Sequence, residues 1–152
     1  MEKEGTFLVT HADGESAVLR DVVDSQVHTL ADNPGVETGE VVEGRIAPEP
    51  PMEVAWRLVS VEDRRTVPVE RSPEPPTRQE RDLSPDEPGE IATTDRAGEG
   101  EIHVLRVPAE GTDEAVDDVV ADEATLARAA RLDVSRVEIR AEDGVVSVRY
   151  LP

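Results

Sequence analysis

The chain has 152 residues and a formal net charge of −19, from 35 Asp and Glu against 16 Lys and Arg. That length holds one compact domain or two very small ones, and the absence of cysteine excludes disulfides and thiolate metal sites. Met1-Glu2-Lys3-Glu4 lacks the basic and apolar regions of a secretory signal, and no apolar run nears the roughly 20 residues of a membrane span, so a soluble cytoplasmic protein is expected.

Gly5–Thr10 (GTFLVT) reads as a first strand, ended by Ala12-Asp13-Gly14-Glu15. Asp-Gly between two apolar runs signals a two-residue hairpin, because both central residues tolerate positive φ. That turn places Val9 opposite Val18 and Leu8 opposite Leu19. A second turn at Asp24-Ser25 leads into a third strand, Gln26–Leu30, and Asn33-Pro34-Gly35 and Thr38-Gly39 break the chain again. In the fourth strand, Val41–Ile46, Val42, Gly44 and Ile46 alternate with Val41, Glu43 and Arg45. A glycine in mid-strand signals a bend or a close backbone approach.

After the rigid corner Pro48-Glu49-Pro50-Pro51 comes the longest strand, which carries Trp56, the only tryptophan. Val54, Trp56 and Leu58 share one parity and Val59 and Val61 the other, which predicts a bulge near Leu58-Val59. Five short strands without helical period predict a small OB-like or SH3-like β-barrel over residues 1–69, with Trp56 as its central plug.

Residues 70–99 change character. Pro73, Pro75, Pro76, Pro85 and Pro88 forbid a continuous helix or an inner strand, so this stretch is expected to be an extended Pro-rich connector. Thr77 and Glu80 have the spacing of a capping box around one helical turn, with Leu83 its sole large apolar residue.

Residues 100–152 read as a β-α-α-β-β unit with a small antiparallel sheet and helices over one face. Glu101–Val107 is an apolar strand. Thr112 is expected to cap a helix whose start carries Asp113, Glu114, Asp117 and Asp118, where the helix dipole favours negative charge. Its buried stripe is Val116, Val119 and Val120. Asp122 continues that helix or caps a second, Glu123–Leu132, with Leu126, Ala129 and Ala130 inward and Arg128 and Arg131 near its end. Asp143-Gly144 then makes a hairpin that pairs Ala141 with Val146, Ile139 with Val148 and Val137 with Tyr150, and sets Glu138 opposite Arg149. The whole is α+β and mostly β.

The charge is spread evenly: −9 over residues 1–70, −4 over 71–99 and −6 over 100–152. Lys3 is the sole lysine beside fifteen arginines, and Phe7, Trp56 and Tyr150 are the only aromatics of their class. Even acidity, scarce lysine and a valine-rich core imply adaptation to brine. At about 1 M salt the Debye length is about 3 Å, so neighbouring carboxylates barely repel one another while their hydration keeps the protein in solution. The fold is then expected to require high salt.

The segments NPGVETGEVVEG, PEPPMEVAW, EIHVLRVP, ATLARAARLDVSRVE and DGVVSVRYLP resemble a family of uncharacterised proteins of halophilic archaea, a domain-of-unknown-function group. The resemblance spans nearly the whole chain. It implies a halophilic source and brings no activity, ligand or catalytic residue.

Catalytic signatures are missing. There is no phosphate-binding loop, and Gly98-Glu99-Gly100 lacks the third glycine and the preceding strand of a dinucleotide fingerprint. Ser16 lies in DGESA, which is not a nucleophile elbow. With 35 acidic residues, a carboxylate pair reads as solvated surface and not as an acid–base couple. His11, His28 and His103 show no metal-ligand spacing and read as ordinary strand residues. No enzyme activity, cofactor or metal is expected.

Macromolecular binding remains. Two PEPP segments, 48–51 and 73–76, offer polyproline-like surface that loses little entropy on docking, the second flanked by Arg71 and Arg78. Arg57, Arg64 and Arg65 lie on or after the Trp56 strand. The expectation is a protein-binding module using Trp56, Arg57, Arg64, Arg65, Arg71 and Arg78. RNA or single-stranded nucleic acid is the alternative ligand of an OB-like barrel, since counterion release contributes little in concentrated salt.

Overall fold

The computed structural model describes residues 1–52, 54–96 and 100–152; Gly98 and Glu99, two thirds of the rejected glycine motif, lie outside them. Strand outweighs helix, and the chain divides into two compact units, residues 1–67 with 126–131 and residues 68–125 with 132–152.

In the first unit the strands β1 (Lys3–Ala12), β2 (Ala17–Asp21), β3 (Val27–Leu30), β4 (Glu40–Pro48) and β5 (Trp56–Thr66) run in the order β1-β2-β3-β5-β4. β4 pairs back onto β1, so the five strands close into a ring. Closure is loose on one side: β3 meets β5 in parallel at a single pair, Leu30 and Trp56. Alternation turns Phe7, Val9, Ala17, Leu19, Leu30, Val42 and Ile46 into one core, joined by Val36 from the β3–β4 loop. Each large side chain so buried contributes about 1.5–3 kcal/mol.

Two strand features follow from the sequence as read. Gly44 lies where a Cβ would sit 2.2 Å from the Ser60 carbonyl oxygen, so β4 and β5 approach as closely as only glycine permits. Ile46 pairs with Leu58 and Arg45 with Ser60, which leaves Val59 as the extra residue of a bulge; a second bulge leaves Glu62 unpaired.

Two others differ. Val9 pairs with Leu19 and Leu8 with Arg20, one residue away from the expected register. The β1–β2 connection is a four-residue loop, Asp13–Ser16, in which Asp13 Oδ1 accepts from the Glu15 and Ser16 amides at 2.8 Å, and a register shift between Val9 and His11 absorbs the remaining residue. Neither Asp13 nor Gly14 has positive φ, so the side-chain-capped turn replaces the tight one. Trp56 is the other correction. It is only partly buried and packs against the margin of the core, whereas Phe7, fully buried, fills the centre.

In the second unit five strands run in the order β6-β9-β10-β8-β7: β6 (Val69–Arg71), β7 (Ile91–Asp95), β8 (Glu101–Arg106), β9 (Arg136–Glu142) and β10 (Val145–Leu151). Only β6 and β9 are parallel. The β9–β10 register is the expected one at every pair, including Glu138 with Arg149. Asp143 and Gly144 both have positive φ, as a tight hairpin turn with the strands' own twist requires.

The expected connector is part of this unit. Residues 70–99 supply the end of β6, the helix α1 (Arg78–Leu83) and β7, so the sheet is mixed and five-stranded where a small antiparallel one was expected. The prolines fall between these elements, and β6 and β7 are edge strands, where missing donors cost least. The expected capping box forms: Thr77 Oγ1 accepts from the Glu80 amide and Glu80 Oε1 from the Thr77 amide. α1 reaches the face that carries Ser147 and Glu142, so that face is covered as well.

The helices α2 (Thr112–Ala121) and α3 (Glu123–Arg131) span the residues expected of them, but residues 126–131 of α3 group with the first unit and not with the sheet unit to which both helices were assigned. Gly111 occupies the cap position and Thr112 is the first helical residue, its hydroxyl donating to the Ala109 carbonyl and accepting from the Gly144 amide. Val116 is buried, whereas Val120 faces out. Asp122 caps α3 through the Ala124 amide, and Ala129 and Ala130 of α3 are buried.

Candidate interaction site

At the end of the ring where β1 begins, one ammonium gathers four side chains. Lys3 Nζ lies 2.9 Å from Asp24 Oδ2, 2.9 Å from His28 Nε2, 3.2 Å from Asp21 Oδ2 and 3.5 Å from Gln26 Oε1. An ammonium has donors only, so His28 Nε2 accepts and the ring proton sits on Nδ1. Asp21 also pins the β2–β3 turn, its Oδ1 accepting from the Val23 amide at 2.8 Å and the Asp24 amide at 3.2 Å. Asp24 Oδ1 accepts from the Gln26 amide at 2.8 Å.

His28 and Asp21 are both buried. The His28 ring meets Trp56 edge-on at 4.7 Å between centroids and Phe7 at 6.1 Å. Burial, then the adjacent Lys3 charge, lowers the His28 pKa below its ordinary value. For Lys3, burial pulls downward, but hydrogen bonds to Asp24 and Asp21 outweigh it and raise the pKa. The amide of Gln26, then Lys3, holds the Asp24 carboxyl low.

Large apolar side chains are exposed on the segments that leave the ring at this end. Pro48 pairs with Trp56 and Lys3 with Ile46, so the β4–β5 loop leaves the ring at the same end as Lys3 and the β2–β3 turn it holds. That loop exposes Met52 at 76% and Val54 at 78%, and Val23 in the turn and Val27 at the head of β3 are exposed by 74% and 63%. Large apolar side chains exposed together mark a contact surface far better than scattered ones do.

The six residues chosen from sequence do not converge. Trp56 and Arg57 begin β5, while Arg64 and Arg65 end it, roughly 25 Å away at about 3.3 Å per residue. Arg57 lies 3.7 Å from Glu49. Arg64 clamps Glu40 with two bonds of 2.9 and 2.7 Å and donates to the Gly35 carbonyl at 2.9 Å, so it ties the β3–β4 loop to the ring. Arg65 is half-buried and pairs with Val41 along the ladder. Arg71 and Arg78 belong to the second unit; Arg71 lies 3.0 Å from Asp113, and Arg78 is exposed on the first turn of α1. Only Trp56 and Arg57 fall at the apolar end. Lys3, His28, Met52 and Val54 were missed, although a single lysine set on the first strand of so arginine-rich a chain was a legible signal.

The second unit holds its own buried polar cluster. Glu80, 1% exposed, accepts from Ser147 Oγ and lies 3.5 Å from Arg149 Nε. Glu138 Oε1 takes bonds of 2.7 Å from both Arg149 and Arg140, and Arg140 reaches Glu74 at 2.8 Å. Beside it a cleft of about 230 Å³ is lined by Pro68, Glu70, Arg71, Ser72, Pro73 and Arg136, with Val137 and Glu138, smaller than the usual 300–1,000 Å³ of a small-molecule site. Among the described residues no three His, Asp or Glu side chains are grouped to hold a metal ion, and no helix is long and apolar enough to cross a membrane.

No curated protein and no solved structure matches the chain. Residues 3–141 match a family of unknown function, DUF5812, which takes in both the ring and most of the sheet unit; the chain belongs to that family.

Proposed function

We propose that the chain is a non-enzymatic protein-binding module of the cytoplasm of a halophilic archaeon, docking its partner on the apolar end of the first unit. The observation that carries this reading is the exposure of Met52 and Val54 in the β4–β5 loop and of Val23 and Val27 at the β2–β3 turn, on a chain of net charge −19. Interfaces concentrate their binding energy in apolar and aromatic side chains within a polar rim, and this end supplies both. The ring, five strands closed loosely on one side, is read as an OB-like barrel, a fold that uses its β4–β5 loop for recognition. The polar clusters of both units are knit into ion pairs that hold backbone, which supports a structural role for them over acid–base chemistry.

RNA is the second reading, favoured by the position of Trp56 and Arg57 together at that end. Stacking platforms need several exposed aromatics, and Phe7 and Tyr150 are buried. A tagged pull-down in concentrated salt, assayed for protein and for RNA, separates the two. The protein-binding reading expects a retained polypeptide and an absorbance ratio of a nucleic-acid-free protein. Retention of RNA alone would overturn it.

A further inference from the structure

We infer that Lys3 and His28 form an acid-sensitive latch that sets the geometry of the apolar end, so that protonating His28 releases the β2–β3 turn carrying Val23 and Val27. The consequence for binding rests on the reading of that end as the docking surface; the latch itself does not.

The geometry allows only one protonation state. His28 Nε2 accepts from Lys3 Nζ at 2.9 Å. A proton added there would face an ammonium hydrogen across the same gap, and two donors cannot share one bond. Either Lys3 or the imidazole must move. The imidazole is wedged against Trp56 and Phe7, whereas Lys3 is a flexible side chain on the first residue of β1, so Lys3 is the group that leaves. Its bonds to Asp24, Asp21 and Gln26 are the side-chain ties between the start of β1 and the β2–β3 turn among the described residues, and they go with it.

The charged and titratable groups facing His28 are Lys3 from β1, Asp21 from β2 and Asp24 from the turn; Gln26 from the turn and Trp56 from β5 are neutral. Asp24 is held below the ordinary carboxylate value of 3.8 and Lys3 above 10.5. His28, the neutral member of the cluster, is the group that acid adds a charge to beside the Lys3 ammonium. The sign follows from linkage: a histidine whose folded pKa lies below 6.5 favours the latched state above that pH, and the advantage fades as pH falls through the folded value.

Because Trp56 is the sole tryptophan, its fluorescence reports on this imidazole directly. The test follows Trp56 emission and amide exchange of Val23, Asp24 and Gln26 against pH in the wild-type chain and in His28→Gln, whose side-chain oxygen still accepts from Lys3 but does not titrate. The latch predicts an emission change with one midpoint below 6.5 and protection of the turn amides falling about tenfold between about pH 7.5 and about pH 5, with both responses lost in His28→Gln. If His28→Gln does not fold, Lys3→Met serves instead: it removes the clashing ammonium, so the midpoint should rise and the turn should be loose at every pH. Turn protection independent of pH in the wild type, or a midpoint at or above 6.5, would overturn the latch. Neither outcome depends on a partner, so failure of the docking reading and failure of the latch are told apart.

Discussion

The two polar clusters use similar ingredients to different ends. In the ring, one ammonium meets two carboxylates and a neutral imidazole at the end from which the β2–β3 turn and the β4–β5 loop leave. In the sheet unit, guanidiniums and carboxylates interlock beneath α1, and Glu80 serves at once as half of a capping box and as anchor to Ser147. The second cluster contains no histidine. A cluster with an imidazole in it can respond to its surroundings; a cluster of arginine and glutamate fixes a segment in place.

Salt should have the largest effect on both. If the carboxylates are an adaptation to brine, lowering salt to about 0.1 M, where the Debye length is about 10 Å, should unfold the chain. Circular dichroism checks this, and full strand content at low salt would contradict it.

Breaking the fixed cluster should come next. Glu80→Ala leaves Ser147 buried without its partner, while Arg149 keeps Glu138, and it removes half of the capping box; about 2–4 kcal/mol of stability should be lost in denaturant titrations. Gly44→Ala forces a Cβ onto the Ser60 carbonyl, and overpacking of this kind costs about 1–3 kcal/mol. Thr77→Ala should cost about 1 kcal/mol, the worth of a helix cap.

The smallest effect is pH-dependent. The clamp from Arg64 lowers the Glu40 pKa against the opposing effect of burial, with the Glu37 amide adding to it. A depressed carboxyl stabilises the fold above its ordinary value of 4.5, and that contribution is lost as pH falls through the folded value. Arg64→Met should flatten the acid limb of the stability profile, measured by thermal midpoints between pH 3 and 6, and leave the His28-linked change intact.

The same two units show what the sequence could convey. Every β9–β10 pair was legible because Asp143-Gly144 fixes the turn and alternation fixes the face. The first hairpin carried the same Asp-Gly signal, yet Asp13 spent its carboxylate on the Glu15 and Ser16 amides and lengthened the loop, a competition between side chain and backbone that the dipeptide alone does not reveal. Gly44 and the Val59 bulge were legible from a glycine and a change of parity. The role of residues 70–99 was not, because edge strands that pair with β8 and β9 are specified by distant residues, and proline density says only where they stop. Trp56 was placed correctly on its strand but wrongly at the centre, since size alone does not decide which large residue fills a ring. The apolar end was hidden for a related reason: the segment with Val23 and Val27 and the loop with Met52 and Val54 leave the ring at the same end only because β2 and β4 both pair with β1.

The most direct test of the central claim compares the wild-type chain with Met52→Asp/Val54→Asp as immobilised bait in concentrated salt, with folding of both verified by circular dichroism. Both positions are exposed, so the fold should survive. A specific polypeptide should be retained by the wild type and reduced about tenfold or more on the variant. Equal retention on both would contradict it.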